Sequence, residues 1–150
     1  MGLAGLAAFL RQHRRIGLDT SVFIYQLEAN ERYVALTHYI FEWLEGSGHA
    51  AITSTITMTE LLLQPYRLQN RQLLDEYYGL LSRYTHLDWI PPDLKVADIA
   101  AQLRARYKLK TPDAVQAATA VYGRATAFIT NDAVFKRVAE LQVVVLEELI

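Results

Sequence analysis

Four acidic side chains stand at or near places where the sequence turns from strand into helix. Asp19 follows the apolar run Ile16-Gly17-Leu18 and precedes the polar pair Thr20-Ser21 and a helical pattern. Asp113 comes after Thr111-Pro112, which reads as a helix cap followed by a proline in the first turn. Asp132 follows the strand-like Phe128-Ile129-Thr130. Glu60 lies inside the helical pattern Ile56–Leu63, among Met58, Leu61, Leu62 and Leu63 rather than on an open polar face. Each alone has an ordinary explanation. A cap or first-turn acid gains about 0.3–1 kcal/mol from the helix dipole, and most helix glutamates are solvated. Together they would be three acids at one edge of one sheet, with a fourth on a neighbouring helix. Converging carboxylates repel, and at least one would protonate unless a cation stands among them. A hard divalent ion takes an all-oxygen ligand set, so Mg²⁺ or Mn²⁺ is the physical completion of such a site.

Other chemistries lack their residues. There is no cysteine, hence no thiolate nucleophile, disulfide or thiolate metal site. The histidines, His13, His38, His49 and His86, have no zinc spacing. No serine sits in a G-x-S-x-G turn, and the glycines form neither a dinucleotide fingerprint nor a P-loop. At 150 residues, with 52% hydrophobic and 21% charged residues, the chain suits one soluble globular domain. The net charge of −1 neither demands nor excludes nucleic acid. The absence of cysteine fits a reducing cytoplasm.

Strand-like runs are expected at Ile16–Leu18, Ala50–Thr53, His86–Ile90, Ala127–Thr130 and Gln142–Leu146. Helical patterns lie between them: a short one after Asp19, then Glu31–Glu45, Ile56–Leu63, Leu68–Tyr84, Leu94–Tyr107 and Thr111–Gly123. Pro65 is expected to interrupt, and Asn131-Asp132 to open a short helix through Phe135 and Val138. Alternation of strands and helices without hairpin signals predicts an α/β fold, a three-layer α/β/α sandwich around a parallel sheet. Residues 15–150 make up this domain, and residues 1–14 are an N-terminal extension. The apolar start is followed, not preceded, by Arg11, Arg14 and Arg15, against a secretory signal; Leu6 stands where myristoylation wants Ser or Thr. The extension is expected to be a short helix with Leu3, Leu6 and Leu10 on one face. No apolar run is long enough to span a membrane.

These residues give the chain a family likeness. Leu18-Asp19-Thr20-Ser21-Val22, Thr59-Glu60-Leu61, Thr111-Pro112-Asp113-Ala114 with Ala117-Ala118, and Thr130-Asn131-Asp132 with Phe135 occur in the order found in PIN-domain ribonucleases. The chain resembles most the toxin component of VapBC toxin–antitoxin pairs. It departs at the front, where such toxins usually begin almost at the first strand. The resemblance implies that Asp19, Glu60, Asp113 and Asp132 ligate one or two metal ions. Thr20 or Ser21, and Thr130 or Asn131, would hold the carboxylates or bound waters. It also implies an endoribonuclease leaving a 5′ phosphate, a homodimer and a cognate antitoxin. The antitoxin would lie near the apolar faces of Glu31–Glu45 and Ile56–Leu63.

Binding RNA needs cations despite the neutral total. Arg104, Arg106, Lys108 and Lys110 precede Asp113, with Tyr107 among them as a stacking surface; the alternative is a solvated helix end. Two other functions stay open on the residues alone: a non-catalytic RNA-binding or interaction domain of the same fold, and a metal-dependent DNA nuclease. An aspartyl phosphatase wants an acid where Ser21 stands, and a phospho-accepting receiver wants an acidic pair that does not occur.

Overall fold

The computed structural model describes residues 2–150. Five short strands form the centre: β1 (Arg15–Leu18), β2 (Ala50–Ser54), β3 (Leu87–Ile90), β4 (Ala127–Thr130) and β5 (Gln142–Val145). They pair in parallel in the order β3-β2-β1-β4-β5. Seven helices surround them among the described residues: α1 (Gly2–Leu10), α2 (Thr20–Leu27), α3 (Val34–Leu44), α4 (Ile56–Arg67), α5 (Arg71–Leu81), α6 (Leu94–Tyr107) and α7 (Thr111–Tyr122). Two 3₁₀ turns, Ala133–Arg137 and Leu146–Leu149, flank β5. No described helix is long and apolar enough to cross a membrane.

A parallel sheet covered on both faces wants apolar side chains in both directions. Ile16, Leu18, Ala51, Ala127 and Ile129 enter the core shared with α1, α2 and α3. Ile52 and Phe128 enter the opposite core, with Val96, Ala100 and Leu103 of α6 and the alanines of α7. Gly17 makes the second layer close. A Cβ there would stand 2.7 Å from Ala120 Cβ and 2.7 Å from Phe128 Cδ1, so α7 can lie against β1 only because position 17 has no side chain.

Several boundaries differ from expectation, each for a local reason. The helix expected from Glu31 begins at Val34, because the Asn30 side chain accepts the Arg32 and Tyr33 N–H groups and holds a turn. Pro65 lies inside α4, which runs on to Arg67. The next helix starts at Arg71, not Leu68: Gln69 has φ +48°, and Asn70 caps α5 by accepting the Leu73 N–H at 3.0 Å. The segment at 82–84 lies beyond the end of α5. Lys110, not Thr111, occupies the cap position of α7, and Thr111 is the first helical residue.

The extension is helical. Leu6 and Leu10 are fully buried and join the core of α2 and α3, whereas Leu3 is 46% exposed and stands off the buried face. The helix rests on α3 and on the turn Leu146–Leu149, with Gly5 against Leu149.

Candidate active site

All five strands point the same way, so their C-terminal ends share one edge. β1 ends there on Asp19, whose extended backbone (φ −77°, ψ 159°) makes it the cap of α2. Its Oδ1 accepts the Thr20 N–H at 2.9 Å, and its Oδ2 accepts the Thr130 hydroxyl at 2.6 Å from the end of neighbouring β4. Thr130 in turn accepts the Asp132 N–H at 3.0 Å. Asp132 caps the following 3₁₀ turn through the Val134 N–H at 3.0 Å and stays exposed.

Glu60 reaches the same edge from the second turn of α4. The Thr20 hydroxyl donates to its Oε1 at 2.8 Å. Asp113 comes from the first turn of α7. A cleft of about 250 Å³ is lined by Asp19, Thr20, Ser21, Glu60, Asp113 and Gln116, among others. Three of the four acids therefore share one cavity. Asp132 does not line it, but its charge is felt at Asp113.

The electrostatics follow from this crowding. Burial pushes the Asp19 carboxyl up to about 6, and the Glu60 and Asp113 carboxylates add to it, against the Thr130 and Thr20 hydrogen bonds. Asp113 is also raised, by burial, by Asp132 and by Glu60, while Lys110 pulls it down.

Beneath the acids runs a buried polar chain. The Thr53 hydroxyl donates to the Leu18 carbonyl at 2.9 Å, so in its 2.7 Å bond with Thr57 it must accept. Thr57 accepts from Gln116 Nε2 at 2.8 Å. This chain ties β2, α4 and α7 to the residue before Asp19. Thr57 and Gln116 are not singled out by the sequence motifs. The signal available was a glutamine in the alanine-rich run one turn after Asp113.

The donor chemistry suits a hard cation. Besides three carboxylates, the cleft is lined by Ser21 and Gln116, whose buried Oγ and Oε1 have no partner. Among the described residues no three Asp, Glu or His side chains form a group that could hold a metal ion directly. Mg²⁺ keeps several waters and takes one or two carboxylates, and the unpartnered Ser21 and Gln116 oxygens beside the acids are places for such waters to bond. The residues present fit such an ion.

Other candidates lie elsewhere. Asn131 does not contact the carboxylates: it donates to the Tyr25 hydroxyl at 2.8 Å and accepts the Glu147 N–H at 2.8 Å, tying α2 to the C-terminal turn. Arg106 pairs with Glu140 at 2.7 Å, and the Tyr107 hydroxyl donates to the same carboxylate. Arg104 Nε donates to the Leu109 carbonyl at 3.1 Å, and Lys108 ends α6 in a left-handed conformation. Lys110 is the member of this stretch whose charge reaches the acids.

The family model for the PIN domain matches residues 16–141. No curated protein sequence matches the chain significantly. Among solved structures, a toxin–antitoxin complex from Klebsiella pneumoniae is similar, with 24% identity over 86% of this chain and 95% of that one, at a TM-score of 0.66. VapBC2 from Rickettsia felis, bound to a promoter DNA fragment, is 17% identical over 87% of this chain and 97% of that one, at 0.66. DNA-bound VapBC from Salmonella typhimurium is 17% identical over 88% and 98%, at 0.62. At these identities the likeness is one of fold.

Proposed function

The chain belongs to the PIN domain family, and on that footing we propose that it is a divalent-metal-dependent endoribonuclease, the toxin of a toxin–antitoxin pair. The observation that carries the reading is the gathering of Asp19, Glu60 and Asp113 around one cleft, with two of the three carboxyls held above their ordinary range. Such crowding is costly to a fold unless a cation relieves it. Asp19, Glu60, Asp113 and the adjoining Asp132 would hold Mg²⁺ or Mn²⁺. When bound, that ion supplies Lewis acidity and an activated water for in-line displacement at phosphorus. Thr130 fixes Asp19, Thr20 fixes Glu60, and the Gln116–Thr57–Thr53 chain keeps both elements in register. Lys110, whose charge is felt at Asp113, would draw a phosphate backbone toward the acids, with Arg104 and Lys108 as further candidates for RNA contact.

The similar solved structures are toxin–antitoxin complexes, which supports an antitoxin as partner here; a homodimer working in the cytoplasm is part of the same proposal. The test is cleavage of a structured RNA and of a duplex DNA with Mg²⁺, with Mn²⁺ and with EDTA. RNA cut only with metal supports the reading. Full activity in chelator removes the metal, and cleavage of DNA alone replaces the substrate.

A further inference from the structure

A second concave site lies at the opposite, N-terminal edge of the sheet. A pocket of about 360 Å³ is lined by Arg11, His13, Arg14, Trp43, Ser47 and His49, with Leu10 and Gly48 completing it. Two arginines and two histidines line it, and no acidic residue does. Neither Arg11 nor Arg14 is in an ion pair among the described residues. His13 is nine-tenths buried. Its Nδ1 lies 2.7 Å from the Thr126 hydroxyl, while its buried Nε2 has no partner. Native folds rarely keep a buried polar nitrogen unpaired.

The aromatic wall is built with equal care. Trp43 and His49 stack with ring centroids 4.1 Å apart and planes 10° from parallel. The carbonyl of Trp43 can only accept, so His49 Nδ1 carries the proton between them at 2.5 Å, leaving Nε2 for another partner. Arg14 is held beside this wall because its carbonyl accepts the Ala50 N–H at 2.8 Å.

We propose that this pocket binds a phosphate-bearing small molecule of mononucleotide size. Guanidinium forks match phosphate oxygens two at a time. The stacked Trp43–His49 pair offers a flat apolar surface beside them, and the volume suits a small ligand. Four of the lining residues, Leu10, Arg11, His13 and Arg14, belong to the segment ahead of the first strand, which gives that segment a binding role besides its packing. None of these residues lines the carboxylate cleft, so the proposal stands apart from RNA cleavage.

The test is calorimetric titration of the whole chain with AMP and with inorganic phosphate. EDTA is present throughout, so that no metal carries phosphate to the acids. The wild type is expected to bind AMP more tightly than phosphate, with the Trp43 indole resonance shifting on titration. The double variant Arg11→Gln, Arg14→Gln should bind AMP at least tenfold more weakly, with an unchanged unfolding midpoint, since both side chains are exposed. No binding of AMP at millimolar concentration, or equal binding by the double variant, overturns the proposal. Equal affinity for AMP and inorganic phosphate overturns the mononucleotide assignment.

Discussion

The hydroxyl of Thr20 donates to Glu60 Oε1 at 2.8 Å, joining the first residue of α2 to the middle of α4. The residue after the half-buried Asp19 therefore sets where a second carboxylate stands. Thr20 also lies 3.2 Å from both Thr57 Oγ1 and Gln116 Nε2, so its rotamer is fixed from several sides.

Replacing Thr20 by Val keeps the shape and removes that donor. Glu60 would lose its anchor and swing out of the cleft. RNA cleavage is expected to fall about 10–100-fold, the range for groups that orient ligands from behind. Circular dichroism should show an intact fold. Single-turnover cleavage rates check this, and a rate equal to wild type would show that Glu60 needs no support from Thr20.

The raised Asp19 carboxyl makes a pH prediction for the metal-free protein. Its folded value of about 6 lies above the ordinary 3.8, so the folded state holds the proton more tightly than the unfolded chain. The associated stability is fully present below the unfolded value and is lost as pH rises through about 6. It amounts at most to about 3 kcal/mol. Denaturant unfolding in EDTA should show stability falling between pH 4 and pH 7. Adding Mg²⁺ at pH 7 should restore part of it, because the ion binds the ionised site. A flat profile across this range would remove the electrostatic strain.

The extension is expected to be part of the folded unit. Leu10 is 1% exposed and packs within the core of α2 and α3. Leu10→Ala should cost about 2–5 kcal/mol, as buried leucine truncations do. The cost is read from chemical denaturation at constant slope. A loss below about 1 kcal/mol would mean that α1 is only loosely applied to the domain.

The strands and the sheet were legible because a parallel sheet buried on both faces leaves continuous apolar runs such as Ala127-Phe128-Ile129, with little that imitates them. Helix starts were less so. Asn30 and Asn70 each draw nearby N–H groups into a turn, and that choice depends on side-chain rotamers that periodicity does not register. Pro65 in α4 and the exposed Leu3 depend on what packs around them. The acids could be found because strand exits and helix starts are visible in sequence and share one edge in this topology. Their supports were harder: the role of Gln116 exists only because α7 crosses β1 at Gly17. Arg106 looked like a free cation in sequence, but its partner Glu140 stands 34 residues away.

The most direct test of Asp19 as the centre of the site is the RNA cleavage rate of Asp19→Asn beside its metal-free unfolding midpoint. Asparagine can still accept the Thr20 N–H and cap α2, so the local shape survives. It removes one charge from a crowded cleft, so at pH 7 the midpoint should rise by a few degrees, about 2–4 °C for each kcal/mol of relieved strain. Cleavage should fall at least about 100-fold, the scale of a misplaced reacting geometry. A variant with an unchanged midpoint and a wild-type cleavage rate would make Asp19 an ordinary helix cap and contradict the account.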